Sequence, residues 1–454
     1  ARSSAIAVPV ADTAALLWDV APDNPPQRQP GGGQLLGAQI GPLPPLTIGD
    51  TVIDSSHDGR IRALNLKTGE LLWRAYTGGR MHGSPTVWKD RLFAGSTDGC
   101  LYAFSLADGR ELWRLRVAPE EGRMMLYDQL GSRWPVFGSP LVADGKVFAA
   151  AGCLQAIDGV YAIAADAVSG ELLWERVDWQ SADGETLTPA MKTAGTGQFC
   201  WDEEFNEAVF SAGEGLPVRL APADGTPRPA FGRGHIEELA SDRTTARAWA
   251  GTVSAGGPDI GDLGAGWMGL GGPRMIYPVH ETTAFVLQTE TGDGRFPVVN
   301  AGGCYLTPSW DRSDVLLVLE TGRRNPETLA LVPAASLKNV LQSLVETTGS
   351  RKKLQLQQGI AIHEHLEKLG GWSVKVGSWT SRPHTMALTS NAALVLVRDR
   401  AGSRIAAFNR ADGKILWNLP LPVDPIRDGL AVAADGSIII ALRDGRIVRI
   451  GADS

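Results

Sequence analysis

The chain has 454 residues, a formal net charge of −7 at neutral pH and 54 glycines, and only 20 % of its residues are charged. The mild acidity, without a basic stripe, argues against a nucleic-acid-binding protein. No apolar run approaches the ~20 residues of a membrane-spanning helix. Many glycines with few charges are typical of an all-β protein that has many tight turns.

The first 45 residues contain a strand and then a proline-rich segment. Residues 7–18 read as the tail of a sequence repeat, with Ala14 where a turn glycine is expected and Trp18 at its end. Residues 22–45 are rich in proline and are predicted to form an extended strap. Because residue 1 is alanine and not an initiator methionine, we expect a mature, processed chain.

One phrase recurs along the chain and predicts the fold. It consists of an alanine, an Asp, Asn or Ser two residues later, a glycine and then a tryptophan, and it runs from Ala63 to Trp73, Ala103 to Trp113, Ala164 to Trp174 and Ala407 to Trp417. Each copy ends a unit of four short strands, which is one blade of a β-propeller. The Asp-Gly turns at residues 58–59 and 98–99 lie 40 residues apart, close to the usual blade period of ~40–45 residues.

The recurring tryptophans have a structural interpretation. A large flat ring on the outer strand can stack between blades while its indole N–H donates to a backbone carbonyl. We favour this interpretation over cofactor stacking because the spacing from turn to ring is fixed. The predicted docking residues are Trp18, Trp73, Trp113, Trp174 and Trp417.

The rest of the chain sets the predicted blade count. Clear repeats cover residues 46–80, 82–118, 136–178 and 380–420, whereas 180–380 is less regular. The C-terminus lacks an outer strand, so we expect residues 16–20 to supply it and close the ring. The prediction is a single all-β domain over residues 1–454 with eight four-stranded antiparallel blades, or alternatively seven. Two insertions are expected, at 119–134 and at 333–369, where the apolar spacing predicts a small amphipathic helix.

The repeated phrase resembles the tryptophan-docking repeat of the PQQ-binding-like, or quinoprotein-like, β-propeller superfamily. Residues 129–142 and 425–432 are also similar to phrases of large secreted planctomycete propellers. The superfamily includes quinoprotein alcohol dehydrogenases and the non-enzymatic outer-membrane assembly lipoprotein B. The resemblance therefore implies a periplasmic or cell-surface location, but leaves both an enzyme and a binding protein open.

The candidate ligand site lies where segments enter the innermost strands, at one mouth of the central channel. These residues are polar or aromatic and converge on a funnel, although they could equally satisfy backbone groups around a water-filled channel. The candidate residues are His82, Arg123, Trp134, Arg382, His384, Arg427 and Asp428.

Metal and disulfide signals are weak. His363 and His365 share a face only on a strand and have no recognisable third ligand. Acidic runs at 202–204 and 311–320 are possible Ca²⁺ ligands without a calcium-loop motif. The cysteines, which form no CxxC motif and allow three pairings, are Cys100, Cys153, Cys200 and Cys304.

These observations favour an exported, non-catalytic binding or scaffold propeller that presents its channel-mouth loops to a protein or glycan and needs no cofactor. The alternative is a PQQ- and calcium-dependent dehydrogenase, in which Asp428 would be the general base. The adjacent cysteine pair of such enzymes is missing. A polysaccharide hydrolase or lyase ranks third, because its paired carboxylates cannot be assigned.

Overall fold

The computed structural model describes residues 5–28, 39–126, 129–152, 159–177, 199–202, 206–210, 218–229, 268–269, 275–276, 285–286, 298–299, 309–310, 313–320, 326–333, 336, 370–376 and 382–452. These residues form 37 strands. Over the same residues, no helix has the length and apolar character needed to cross a membrane. Of the predicted helical insertion at 333–369, Pro333 ends a strand and Ser336 is helical, whereas residues 334–335 and 337–369 lie outside the described part.

The N-terminal third contains two blades and the strap. Its strands are β1 (Ala5–Ile6), β2 (Ala15–Val20), β3 (Gln27–Arg28), β4 (Gln39–Ile40), β5 (Leu46–Ile48), β6 (Thr51–Ser55), β7 (Arg60–Asn65), β8 (Leu71–Tyr76), β9 (Thr86–Trp88), β10 (Arg91–Gly95), β11 (Cys100–Ser105) and β12 (Glu111–Arg116). Strands β5–β8 form the first blade and β9–β12 the second, while β3 and β4 pair within the strap.

A hairpin and two more blades follow. The strands are β13 (Arg123–Leu126), β14 (Gln129–Ser132), β15 (Leu141–Ala143), β16 (Lys146–Ala151), β17 (Tyr161–Asp166), β18 (Leu172–Arg176), β19 (Phe199–Asp202), β20 (Glu207–Phe210), β21 (Val218–Leu220) and β22 (Pro227–Pro229). The third blade is β15–β18 and the fourth is β19–β22, whereas β13 and β14 pair only with each other.

The last part of the chain completes the ring. Its strands are β23 (Met268–Gly269), β24 (Met275–Ile276), β25 (Phe285–Val286), β26 (Val298–Val299), β27 (Ser309–Trp310), β28 (Asp314–Glu320), β29 (Pro326–Pro333), β30 (Trp372–Lys375), β31 (Arg382–Thr389), β32 (Ala392–Asp399), β33 (Gly402–Asn409), β34 (Ile415–Pro420), β35 (Pro425–Val432), β36 (Ile438–Leu442) and β37 (Ile447–Gly451). Strands β27–β30 and β31–β34 form two blades, and β1 adds to the second of them in parallel.

The closing blade joins the two ends of the chain. Strand β2 pairs antiparallel with β37, and the sheet order is β2-β37-β36-β35. The predicted closure by the N-terminal strand is therefore confirmed. It gives the last blade an outer strand and hides a sheet edge that would otherwise be open.

The all-β propeller prediction is confirmed, whereas the blade count stays a prediction. The described residues form seven sheets of four or five strands, together with the short pairs β23–β24 and β25–β26 between the fourth blade and the β27–β30 blade. Both eight and seven blades agree with these sheets.

Neighbouring blades pack face to face because strand side chains alternate between the two faces. In the first blade, Val52 and Leu64 contact the closing blade, while Ile53 and Ala63 contact the second blade. Each of six blade interfaces holds one cluster of buried hydrophobic side chains. The core is therefore a series of layers between blades.

Candidate functional site

The outer-strand tryptophans reach across to the turn of the next blade. Trp73 Nε1 donates to the carbonyl of Leu106 at 2.9 Å, and its ring covers Gly109, where a Cβ atom would lie 2.5 Å from the ring. The same hydrogen bond, from the indole N–H to a backbone carbonyl, joins Trp18 to Leu66 (2.9 Å), Trp174 to Pro222 (3.1 Å) and Trp417 to Ala11 (2.9 Å). Glycine suits the turns at Gly69, Gly109 and Gly225 because it accepts a positive φ and leaves room for the indole ring, whereas Ala14 takes its place at the turn that Trp417 contacts.

Two tryptophans differ from the expected set. Trp113 packs against Gly170, but its Nε1 atom has no hydrogen-bond partner among the described residues. Trp372 was missed by the sequence analysis, because the glycine expected four residues before it is absent. Its Nε1 donates to the Arg410 carbonyl at 2.7 Å, and its ring covers Gly413. The turn around Gly413 is recognisable in the sequence and could have revealed Trp372. A docking turn of this kind packs against a tryptophan of the preceding blade, so a tryptophan was to be sought before residue 380.

His82, the first candidate residue of the channel mouth, is buried in an aromatic cluster. Its ring lies 5.6 Å from that of His57 and 5.0 Å from that of Phe137, both edge-on. Burial lowers the pKa of His82 to about 3, and the nearby His57 and Arg80 add to the shift. Burial also lowers the pKa of His57, whose Nδ1 lies 2.8 Å from the carbonyl oxygen of Gly41 in the strap. Both imidazoles are therefore neutral at pH 7.

Arg123 and Trp134 lie at the two ends of the hairpin segment. Arg123 is exposed at the start of β13, whereas the Trp134 ring is buried between the second and third blades and meets Tyr161 edge-on at 6.2 Å. The Arg133 guanidinium lies 5.2 Å from the centre of the same ring. Of these two candidate residues, Arg123 is therefore accessible to a ligand, whereas Trp134 packs in the core.

The remaining candidate residues lie on two inner strands. Arg382 and His384 belong to β31, and Arg427 and Asp428 belong to β35. These two strands are neighbours, as expected for segments that line one channel. The side chains of these four residues lie outside what the structure describes.

A buried charge cluster at the seam between the closing and first blades escaped the sequence analysis. Arg62 binds Asp54 at 2.6 Å, and Arg60 lies 3.4 Å from Asp23 of the strap. Arg74 binds the same Asp23 carboxylate at 2.9 Å. Burial raises the pKa of Asp54, although Arg62 and Arg60 oppose the shift. The cluster links the strap to the first blade. It could not be predicted, because no sequence pattern indicates that residue 23 lies next to residues 60–74.

Comparisons with known proteins agree with this architecture. A family model described as "Outer membrane protein assembly factor BamB" matches residues 3–132 and 57–225. The BamB of Alkalilimnicola ehrlichii is 32 % identical over 89 residues, which is 17 % of this chain and 23 % of the relative. The match therefore spans less than a quarter of that relative's length.

Two solved structures share the fold. BamB from Moraxella catarrhalis superposes with a TM-score of 0.51 at 11 % identity, covering 97 % of this chain and 98 % of the other. Quinohemoprotein alcohol dehydrogenase from Comamonas testosteroni gives a TM-score of 0.55 at 13 % identity, covering 97 % and 77 %. The chain is a PQQ-like β-propeller repeat protein.

The described residues of this PQQ-like propeller were compared with the ligand set that a calcium ion needs. Among them, no three His, Cys, Asp or Glu side chains come together as metal ligands would. The buried carboxylate of Asp54 is bound by arginine, and Asp314 pairs with Arg410 at 2.6 Å. A cationic neighbour opposes the binding of Ca²⁺ to either carboxylate.

The remaining metal and cysteine candidates lie mostly outside the described part. This applies to His363 and His365, and to the side chains at 202–204, 311 and 320. Cys100 is a buried free thiol, and burial raises its pKa to about 11. The side chains of the other three cysteines are not among the described residues, so a disulfide between two of Cys153, Cys200 and Cys304 stays a prediction.

Proposed function

We propose that this PQQ-like propeller is exported to the periplasm or cell surface and acts as a non-catalytic binding or scaffold module for a protein or glycan. The support is its likeness to the outer-membrane assembly factor BamB, together with a hairpin that belongs to no blade and has exposed apolar side chains. The channel-mouth residues Arg382, His384, Arg427 and Asp428 belong to this proposal as contacts for the partner.

The observation that carries the proposal is the hairpin β13–β14. It pairs with no blade, and its cross-strand neighbours Met125 and Leu130 are 65 % and 62 % exposed. Apolar side chains that are exposed together favour an interaction site, and methionine adapts to irregular partner surfaces.

The base of the hairpin is hydrogen-bonded to the second blade. This anchoring favours the binding of a partner to the hairpin. Ser132 N donates to the Thr97 carbonyl at 2.8 Å, and Arg133 N donates to the Gly122 carbonyl at 2.9 Å. Trp134, the next residue, is buried in the core. A pre-ordered element loses little conformational entropy when a partner binds.

A photo-crosslinking experiment in the native host tests the proposal. A photoreactive amino acid replaces Met125 or Leu130, with Leu72 as the matched control, because Leu72 is 51 % exposed on outer strand β8. We expect both hairpin positions to crosslink to the same protein, identified by mass spectrometry, and Leu72 not to do so. Crosslinks at the hairpin that do not exceed those at Leu72 would contradict the proposal.

The second candidate function is the PQQ- and calcium-dependent dehydrogenase. The fold likeness to a quinohemoprotein alcohol dehydrogenase favours it, but a likeness at 13 % identity concerns the fold and not the chemistry. This candidate requires calcium ligands from residues beyond the described part, because the described residues include no cluster of three such ligands.

A further inference from the structure

A groove between two blades, here called the rim groove, contains none of the hairpin residues and is the candidate for a second binding site. It has a volume of about 530 Å³ and lies between the β27–β30 blade, the β31–β34 blade and the N-terminal turn. Its volume is within the ~300–1,000 Å³ typical of small-ligand sites. The residues that matter for binding are Asp12, Trp372, Ser390 and Asn409, and Arg410 shapes the groove.

The N-terminal wall of the groove is held in place by side chains of the β31–β34 blade. Asn391 accepts a hydrogen bond from Val10 N at 2.9 Å and donates one to Val10 O at 2.8 Å. Trp417 Nε1 donates to the Ala11 carbonyl at 2.9 Å. Asp12 therefore follows two residues whose backbone is fixed, so its carboxylate is presented without a large loss of conformational entropy.

The opposite wall is fixed by Arg410. Its guanidinium donates to Asp314 at 2.6 Å and to the Thr389 carbonyl at 3.0 Å, and its own carbonyl accepts the Trp372 indole N–H. The arginine thus links two blades and shapes the floor of the groove. Asp314 and Arg410 are already paired with each other, so we assign them a shaping role.

Three polar groups along the groove have no hydrogen-bond partner in the described part of the chain. They are the exposed carboxylate of Asp12, the hydroxyl of Ser390 and the side-chain NH₂ of Asn409, whose Oδ1 atom accepts from Ala411 N. Together they offer acceptors and donors at the surface of a groove that also contains Trp372, Leu331 and Leu416. A ligand with several hydroxyl groups and an apolar C–H face matches this arrangement.

The charged side chains of the groove determine which hydroxylated ligands can bind. Asp12 and Asp314 outweigh Arg410, so the groove carries one net negative charge and disfavours acidic ligands. A carboxylate accepts hydrogen bonds from two adjacent hydroxyls at once. We propose that this rim groove binds a neutral sugar ring. The site goes beyond the proposed function, because it uses none of the hairpin or channel-mouth residues.

Saturation-transfer difference NMR tests the site on the full chain. The probes are glucose, galactose and N-acetylglucosamine, with glucuronate as the acidic comparison. We expect at least one neutral sugar to bind, and glucuronate to bind more weakly than glucose. Asp12→Ala should weaken the binding of that neutral sugar about ten-fold or more, because it removes a hydrogen bond to a charged group.

The matched control is Asp90→Ala, which removes an exposed aspartate from a turn of the second blade. It should leave sugar binding unchanged, and thermal unfolding should show that both variants are folded. The inference is overturned if none of the three neutral sugars binds the wild-type protein, or if Asp12→Ala binds them as the wild type does. Either result leaves the crosslinking experiment at Met125 and Leu130 unaffected, so the two proposals fail separately.

Discussion

At the residue scale, one indole ring contributes both packing and a hydrogen bond to five of the six described blade interfaces. The two contributions of Trp73 can be separated by substitution. Trp73→Phe keeps an aromatic ring over Gly109 but removes the hydrogen bond to Leu106, at a cost of about 1 kcal/mol. Trp73→Ala removes both and should lower the free energy of unfolding by about 3–5 kcal/mol.

Chemical denaturation of these variants measures the difference. Leu72→Ala is the control, because this exposed neighbour should change the stability by less than about 0.5 kcal/mol. An effect of Trp73→Ala as small as that of Leu72→Ala would contradict the docking role.

The buried histidines predict a pH dependence. The unfolded chain takes up a proton on His82 near pH 6.5, whereas the folded protein keeps it neutral down to about pH 3. The unfolded state therefore binds more protons in this window, so stability is complete above pH 6.5 and falls as the pH drops. The slope from one such histidine approaches about 1.4 kcal/mol per pH unit.

Thermal unfolding between pH 4.5 and 7.5 tests this contribution. His82→Phe should lose less stability than the wild type as the pH falls, because the phenyl ring packs against Phe137 and does not titrate. Parallel pH profiles for the two proteins would show that His82 does not contribute.

At the scale of the element, the N-terminal strand closes the ring. Removing residues 1–20 deletes β2, its pairing with β37 and the hydrogen bond from Trp18 to Leu66. We expect a markedly lower melting temperature for two reasons. The closing blade then has an open sheet edge, and the first blade loses the Trp18 indole that packs on Gly69. An unchanged thermal unfolding curve would contradict this role.

The sequence predicted elements well where the signal was local. The Asp-Gly turns and the phrase from Ala63 to Trp73 are read within a dozen residues, and the structure has blades at those places. Trp372 was missed because its own turn is atypical. The contact of Asp23 with Arg60 was missed because it depends on how the strap crosses the seam, which no local pattern encodes.

At the scale of the whole molecule, the propeller is a ring of similar layers with functional elements added between them. The repeats account for the fold, since each blade needs a neighbour on both sides to bury its faces. They leave the function open, because the hairpin β13–β14 and the rim groove are departures from the repeat. The sequence predicted an insertion at 119–134, but the exposed pair of Met125 and Leu130 depends on the hairpin register.

The most direct test of the central claim is the small-molecule content of the protein purified from its native cells. The protein is denatured, the released molecules are identified by mass spectrometry, and metals are measured on the folded protein. A binding or scaffold propeller predicts no stoichiometric quinone. Stoichiometric PQQ together with calcium would contradict this account and identify the protein as a quinoprotein dehydrogenase.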